Sequence, residues 1–312
     1  MNLASAIFGV AVAMRNALYD RGIFSIRRLA RPVVSVGNIS VGGTGKTPFV
    51  IVLGELLKQR GIAFDVLSRG YRRNSIEISV VDPNGSPAQF GDEPLLVARK
   101  LQVPVIVGSD RYRAGLMAEE RFSSKLHLLD DGFQHRRLHR DFDIVLLPAE
   151  DYRGTLLPVG RLREPVTALR RADAVVLPDQ LEQLPNARQI WLVHRHIELP
   201  DAHSKVIAFC GIGRPAQFFD GLKTAGQKVA ETVTFRDHHA YDQRDINRLL
   251  RLQKQTGTDG FITTEKDFIN LGAFSTQLQP LYSVRLHMEL ESPEQAITGM
   301  LQTLEQRSGC RF

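Results

Sequence analysis

The stretch Val33–Thr47, VVSVGNISVGGTGKT, constrains this chain more than any other part of it. Apolar and small residues suited to a buried strand run into a glycine-rich loop. The loop then passes directly into a helix-compatible segment, Lys46–Gln59, that stops at Gly61. Glycines let backbone N–H groups turn inward, and a helix start adds the positive end of its dipole, so the arrangement cradles a polyphosphate. In such a cradle Lys46 reaches the β- and γ-phosphates of ATP and the Thr47 hydroxyl faces Mg²⁺. Ser40, Val41, Gly42, Gly43, Thr44 and Gly45 complete the nucleotide-binding loop. Ser40 stands where the motif normally has its leading glycine, so the first turn departs from the pattern. GGTGKT also occurs in dimerising partition-type ATPases, but those carry a lysine just before the glycine pair, where this chain has Val41. That difference favours a phosphotransferase over a nucleotide-driven switch.

Downstream, short apolar runs alternate with amphipathic stretches, which predicts an α/β fold built on a mainly parallel sheet. Phe64–Ser68, Val103–Val107, Leu126–Leu129, Asp143–Leu147 and Ala174–Leu177 read as strands, and Glu93–Lys100 and Arg111–Arg121 as helices. Ile76–Val81, followed by Asp82-Pro83-Asn84-Gly85, reads as an antiparallel excursion. The pattern weakens between Asp179 and Ser204, leaving one short apolar run at Ile190–Val193, and then restarts. The expected organisation is therefore an N-terminal region (1–30), a P-loop core (31–190) and a smaller C-terminal α/β domain (191–312).

Leu126–Gly132, LHLLDDG, is an apolar strand ending in two acids. Acids at the carboxyl end of a parallel strand lie beside the phosphate loop, which makes Asp130 and Asp131 candidate Mg²⁺ ligands with Thr47. A phosphotransferase also needs a group to take the acceptor's proton. Asp92 in FGDEP and His238 in FRDHHAY are candidates, but Asp92 equally suits a helix N-cap and His238 a surface loop. The residues alone leave that choice open.

The other features bear on partners. Nine lysines against 31 arginines and a net charge of +6 suit an anionic partner, since the guanidinium fork grips phosphate. No aromatic stacking platform accompanies them, so nucleic acid is not expected. Cys210 and Cys310 show no metal-ligand spacing, which argues against a zinc site and a disulfide scaffold. Leu3–Met14 is apolar but shorter than the ~20 residues a membrane span takes, and no cation precedes it as in a signal peptide. Arg15, Arg21, Arg27, Arg28 and Arg31 follow it, which reads as a helix lying in an anionic membrane surface.

These motifs together closely resemble the tetraacyldisaccharide 4′-kinase family of Gram-negative lipid A synthesis. The matching stretches are NALYDRG from Asn16, SVGNISVGGTGKTP from Ser35, LSRGYRR from Leu67, GDEP from Gly91 and SDRY from Ser109. LDDGFQHRRLHRDFDIVLL from Leu129, LLPVGRLREP from Leu156 and FRDHHAY from Phe235 continue the series. The resemblance implies transfer of the ATP γ-phosphoryl group to the 4′-hydroxyl of an acylated glucosamine disaccharide 1-phosphate, giving lipid IVA. It implies that Asp92 is the general base, paired with His238 across a domain cleft, and that Asp130 and Asp131 serve Mg²⁺ with Glu164 a further acid nearby. Arg111 and Arg163 would steady phosphates or acceptor. A four-chain lipid substrate further implies work at the cytoplasmic face of the inner membrane, docked through the N-terminal helix. No protein partner is expected.

Overall fold

Val33–Asn38 is buried along its whole length, as a strand in the middle of a covered sheet must be. The computed structural model describes residues 2–178, 187–199 and 205–312, so much of the Asp179–Ser204 stretch expected to hold the domain junction lies outside the described residues. Twelve strands occur among the described residues. They are β1 (Val33–Asn38), β2 (Phe64–Ser68), β3 (Ser79–Val80), β4 (Val105–Val107), β5 (Leu126–Asp130) and β6 (Phe142–Leu146), then β7 (Ala174–Pro178), β8 (Ile190–Glu198), β9 (Val206–Cys210), β10 (Val229–Thr234), β11 (Gly260–Thr264) and β12 (Leu281–Leu290). The α-helices are α1 (Leu3–Asp20), α2 (Lys46–Gln59), α3 (Pro87–Phe90), α4 (Asp92–Leu101), α5 (Arg111–Arg121), α6 (Pro215–Thr224), α7 (Gln243–Thr256), α8 (Glu265–Leu271) and α9 (Pro293–Ser308).

The fold is α/β with one large, mostly parallel sheet, ordered β10-β9-β11-β12-β8-β7-β6-β1-β5-β2-β4-β3. Alternation along the central strands sends successive side chains to opposite layers. Val34 and Val36 pack with Phe49 and Leu53 of α2, Leu95 of α4 and Met300 of α9. Val33, Leu67 and Leu129 point the other way, against Ala114 and Ala118 of α5. Burying each large side chain contributes roughly 1.5–3 kcal/mol. Gly54 of α2 has no room for a side chain: a Cβ there would lie 2.6 Å from Leu101, so the glycine sets how closely α2 meets α4.

Among the named strands antiparallel pairing occurs twice, at the β3/β4 edge and between β8 and β12. The second pair joins two parallel blocks that run in opposite directions. β8 continues well past the apolar run at Ile190–Val193, because His194–Glu198 pair with Arg285–Glu289 of β12. Strand β1 sits between β5 and β6, so the chain leaves the sheet there at a topological switch point, where open α/β sheets place their ligands.

Helix α1 is held on one side only. Ser5 donates to the Leu156 carbonyl (2.9 Å) and Arg15 to the Gln134 carbonyl (2.8 Å). Leu3, Ile7, Val10 and Met14, spaced along the opposite face, are 61–76% exposed. No helix among the described residues is long and apolar enough to cross a membrane.

Candidate active site

The loop between β1 and α2 is shaped by two left-handed glycines, Gly42 (φ 86°) and Gly45 (φ 88°), a conformation that costs a residue with a Cβ. Its walls come from elsewhere in the chain. The Val41 amide donates to the Arg161 carbonyl (2.8 Å), and the Ser40 hydroxyl donates to Asp151 (2.5 Å). Asn38 donates to the Thr44 hydroxyl (2.8 Å), and Arg195 of β8 donates to the Thr44 carbonyl (3.1 Å). From beyond β9, the loop at Gly213 rests on the glycine pair so closely that a Cβ there would fall 2.4 Å from the Gly43 amide nitrogen.

Lys46 and Arg163 converge on Asp131, at 3.5 and 3.2 Å. Burial alone would raise the Asp131 pKa, but the two cations overcome it and hold the carboxyl at about 2. Asp131 occupies the left-handed region (φ 52°), a strained setting for a side-chain-bearing residue and one found at functional sites. Asp130 beside it fares differently. Among the described residues its Oδ2 has only the Ser68 hydroxyl, at 3.3 Å, and its Oδ1 is buried without a hydrogen-bond partner. Burial first, then Glu93 and Asp131, push its pKa up to about 7. An orphaned carboxylate oxygen beside the phosphate loop is what a hard cation requires, so the residues present fit Mg²⁺. Among the described residues no group of three or more His, Cys, Asp and Glu side chains is arranged to hold a metal. Two acids and the buried Thr47 are enough, because Mg²⁺ commonly takes one or two carboxylates and completes its sphere with water and substrate phosphates.

Glu164 does not join this group. Its carboxylate accepts from Arg171, from Asn16 of α1 (2.8 Å) and from Gln134 (3.2 Å), which commits it to fastening α1. It reaches Asp131 only indirectly, since Gln134 contacts Arg163 at 3.5 Å. Arg111 is buried, its NH1 on the Ser109 carbonyl (2.7 Å) and its Nε unpartnered. Burial and Arg69 work against its charge, while Asp131 and Asp130 favour it. Burial, then Arg111 and Arg140, lower the pKa of His135, matched with Gln134 and Arg136 in the sequence, to about 4.

Asp92, the first residue of α4, faces His238 from the loop after β10. The His238 Nδ1 lies 2.9 Å from both Asp92 oxygens. Asp92 is not the cap of its helix, a place taken by Gly91; as the first helical residue it accepts from the adjacent Glu93 amide at 2.9 Å. His238 has φ 55°, and its amide is tied to the Gly211 carbonyl (3.0 Å). Burial would raise the Asp92 pKa, but the His238 hydrogen bond, the Lys266 charge and Asn270 bring it down to about 2.

The family model described as tetraacyldisaccharide-1-P 4′-kinase matches residues 1–305. The chain belongs to the tetraacyldisaccharide 4′-kinase family. A relative of that name from Koribacter versatilis is 51% identical over 322 residues, covering 99% of this chain and 100% of the relative. Another, from Aquifex aeolicus, is 40% identical over 308 residues, covering 91% and 93%. The fold matches a crystal structure described as LpxK from Aquifex aeolicus in complex with ATP, with a TM-score of 0.79, 36% identity and 96% of each chain covered.

As a 4′-kinase family member the chain carries site contacts that its motifs did not announce. Lys266 and Asn270 of α8 reach Asp92 at 3.8 and 3.1 Å. Arg214, after β9, grips Asp151 and Glu150. A usable signal existed for α8: Thr264-Glu265-Lys266-Asp267 follows an apolar strand, the same strand-end position that singled out Asp130.

Proposed function

We propose that the chain transfers the γ-phosphoryl group of ATP to the 4′-hydroxyl of a tetraacylated glucosamine disaccharide 1-phosphate, forming lipid IVA in lipid A synthesis. The observation that carries this reading is that one chain of this family holds both the Lys46 loop, with Asp131 against its lysine, and a buried Asp92 carboxylate paired with His238. Lys46 and the loop amides bind and orient the triphosphate and meet charge developing on the transferred group. Arg163 and Arg111 supply further positive charge beside it. Mg²⁺, held by Asp130, Asp131 and Thr47, would neutralise charge on the β- and γ-phosphate oxygens. Asp92 accepts the proton of the acceptor hydroxyl as the hydroxyl oxygen bonds to the γ-phosphorus and the bond from that phosphorus to the bridging oxygen breaks, releasing ADP. A carboxylate with a pKa of about 2 is a weak base. The loose transition state of phosphoryl transfer asks little of a base until late, so position matters more than basicity. Relative movement of the second half (191–312) against the core (31–190) would admit substrates and then close around them.

The acceptor's four acyl chains favour work at the cytoplasmic face of the inner membrane, where ATP is available. The exposed apolar face of α1 and the arginines after it would lie in the lipid surface. Replacing Ile7 and Val10 by glutamate should abolish flotation with anionic vesicles while ATP binding persists; unchanged flotation would remove α1 from that role. For the reaction itself, γ-labelled ATP is incubated with the acylated disaccharide 1-phosphate in detergent micelles and the lipid is analysed. Label on the disaccharide is the expected result, and label appearing only as free phosphate would overturn the assignment.

A further inference from the structure

We propose that Lys266 is the positioning residue of the base: it fixes His238 as the Nδ1–H tautomer and so keeps the Asp92 carboxylate an ionised acceptor. This rests on the reading of Asp92 as the base.

The argument is one of donors and acceptors. Lys266 Nζ lies 3.2 Å from the His238 Nε2. An ammonium group only donates, so the Nε2 must accept and carries no proton. The remaining ring proton is then on Nδ1, pointing at the two Asp92 oxygens 2.9 Å away. A reversed tautomer would set an N–H against the ammonium and a bare nitrogen against a carboxylate, two repulsions in a site largely closed to water.

Lys266 stays charged in this setting. Burial disfavours the ammonium, but Glu93 (3.2 Å), Asp237 (3.5 Å) and Asp92 (3.8 Å) together raise its pKa above the usual lysine value. These acids come from α4 and from the loop after β10. A further charged side chain facing this group is Arg72, from the loop after β2, which donates to the Asp237 and His238 carbonyls at 2.8 Å each. One helical turn beyond Lys266, Asn270 donates to Asp92 Oδ2 (3.1 Å), so α8 addresses the base with two side chains.

Helix α8 is rigidly seated on the framework that carries His238. Asp267 accepts from the Gly211 amide and from the Tyr241 hydroxyl, both at 2.8 Å, and the Gly211 carbonyl holds the His238 amide. Lysine, histidine and their loops therefore form one unit that meets Asp92 from the second half of the chain. A lysine that merely bridged two halves of a fold would have no reason to lie on the imidazole nitrogen.

The test is ¹⁵N nuclear magnetic resonance of the histidine-labelled full chain, with His238 assigned by its loss in His238→Gln. The proposal expects a protonated Nδ1 and a bare Nε2; a protonated Nε2 in the unsubstituted protein would overturn it with no variant needed. In Lys266→Met the ring proton should shift from Nδ1 to Nε2, so that the ring no longer donates to Asp92, while Lys266→Arg should retain the original pattern. Turnover of Lys266→Met should fall about ten- to a hundredfold with the KM for ATP unchanged. Activity needs ionised Asp92, so a raised Asp92 pKa moves the acid limb of its pH profile upward, and Lys266→Arg should restore it. A folded Lys266→Met with the ring pattern and pH profile of the parent would sink the proposal. The base reading fails separately, if Asp92→Asn keeps full turnover whatever the imidazole spectrum shows.

Discussion

Two buried carboxylates belong to different elements, Asp92 to α4 and Asp130 to β5, and their surroundings differ. Asp92 and Asp130 are 5% and 2% exposed, so burial penalises both charges. Asp92 receives His238, Asn270 and the Glu93 amide, with Lys266 nearby, and its pKa is lowered to about 2. Asp130 has one long contact to Ser68 and faces Glu93 and Asp131, and its pKa rises to about 7. On the base side the protein itself supplies every partner the charge needs. On the phosphate side it leaves one oxygen bare and two acids adjacent, an arrangement that becomes favourable once a cation arrives. Glu93 belongs to both, pairing with Lys266 at 3.2 Å while raising Asp130.

The sharpest way to break this contrast is at the self-sufficient end. Asp92→Asn keeps the shape and the His238 contact but cannot take a proton. Turnover should fall about 10³- to 10⁴-fold with ATP affinity held, as read by label transfer and by nucleotide titration. A variant retaining a tenth of normal turnover would mean that the finished carboxylate is scaffolding. Next in size is Lys46→Met, which removes a cation from Asp131 and from the phosphates together. A loss of about 10²- to 10³-fold in kcat is expected, with weaker ATP binding besides. Loss of affinity alone would place Lys46 in ground-state binding rather than in the transfer.

How far these two sides were visible in the sequence follows from where their partners come from. Strand, loop and helix from Val33 to Gln59 are local, and their pattern of apolar, glycine and helix-forming residues specified them with little error. Asp130 was legible for the same reason, as an acid ending a buried strand. The Asp92–His238 pair was not: each residue had an ordinary local role, and only the family resemblance joined them. Lys266 and Asn270 were missed because Glu265-Lys266-Asp267 reads as a solvated helix start until β11 places it beside α4. The length of β8 was hidden too. His194–Glu198 carries too little apolar content to look like a strand, and its pairing comes from β12, far along the chain. The family resemblance alone puts Glu164 near the metal or phosphates, and it does not show that Arg171 and α1 take up the carboxylate.

A smaller effect sharpens the contrast through stability. The folded Asp130 pKa, about 7, lies above an unfolded value near ~3.9, so the folded protein holds a proton between them. Metal-free stability should therefore fall as pH rises through that window, and the penalty is fully developed above about 7. Asp130→Asn removes the penalty, so its metal-free melting temperature should exceed the parent's at pH 8 and converge with it toward pH 5. Each 1 kcal/mol corresponds to about 2–4 °C. Magnesium and nucleotide should reverse the order at pH 8, because only the parent has a carboxylate to offer. A variant less stable than its parent at pH 8 without metal would mean that Asp130 already has a partner.

The smallest effect expected lies at Ser40, where the loop departs from its usual glycine. The Ser40 hydroxyl donates to Asp151, which Arg214 also grips from beyond β9. The first turn of the loop is thus fastened to the second half of the chain by a short polar link, in a position where glycine would supply freedom alone. Ser40→Gly restores the ordinary motif and removes one hydrogen bond, worth about 0.5–1.5 kcal/mol net. Asp151 keeps its arginine, so no buried charge is stranded. The expected outcome is a two- to tenfold rise in the KM for ATP with kcat nearly unchanged, measured by label transfer at varied ATP. An unchanged KM would show that the glycines alone shape the cradle. A large fall in kcat would mean that the link to Arg214 carries the closing of the site, and the phosphate side would then depend on the second half of the chain as much as the base does.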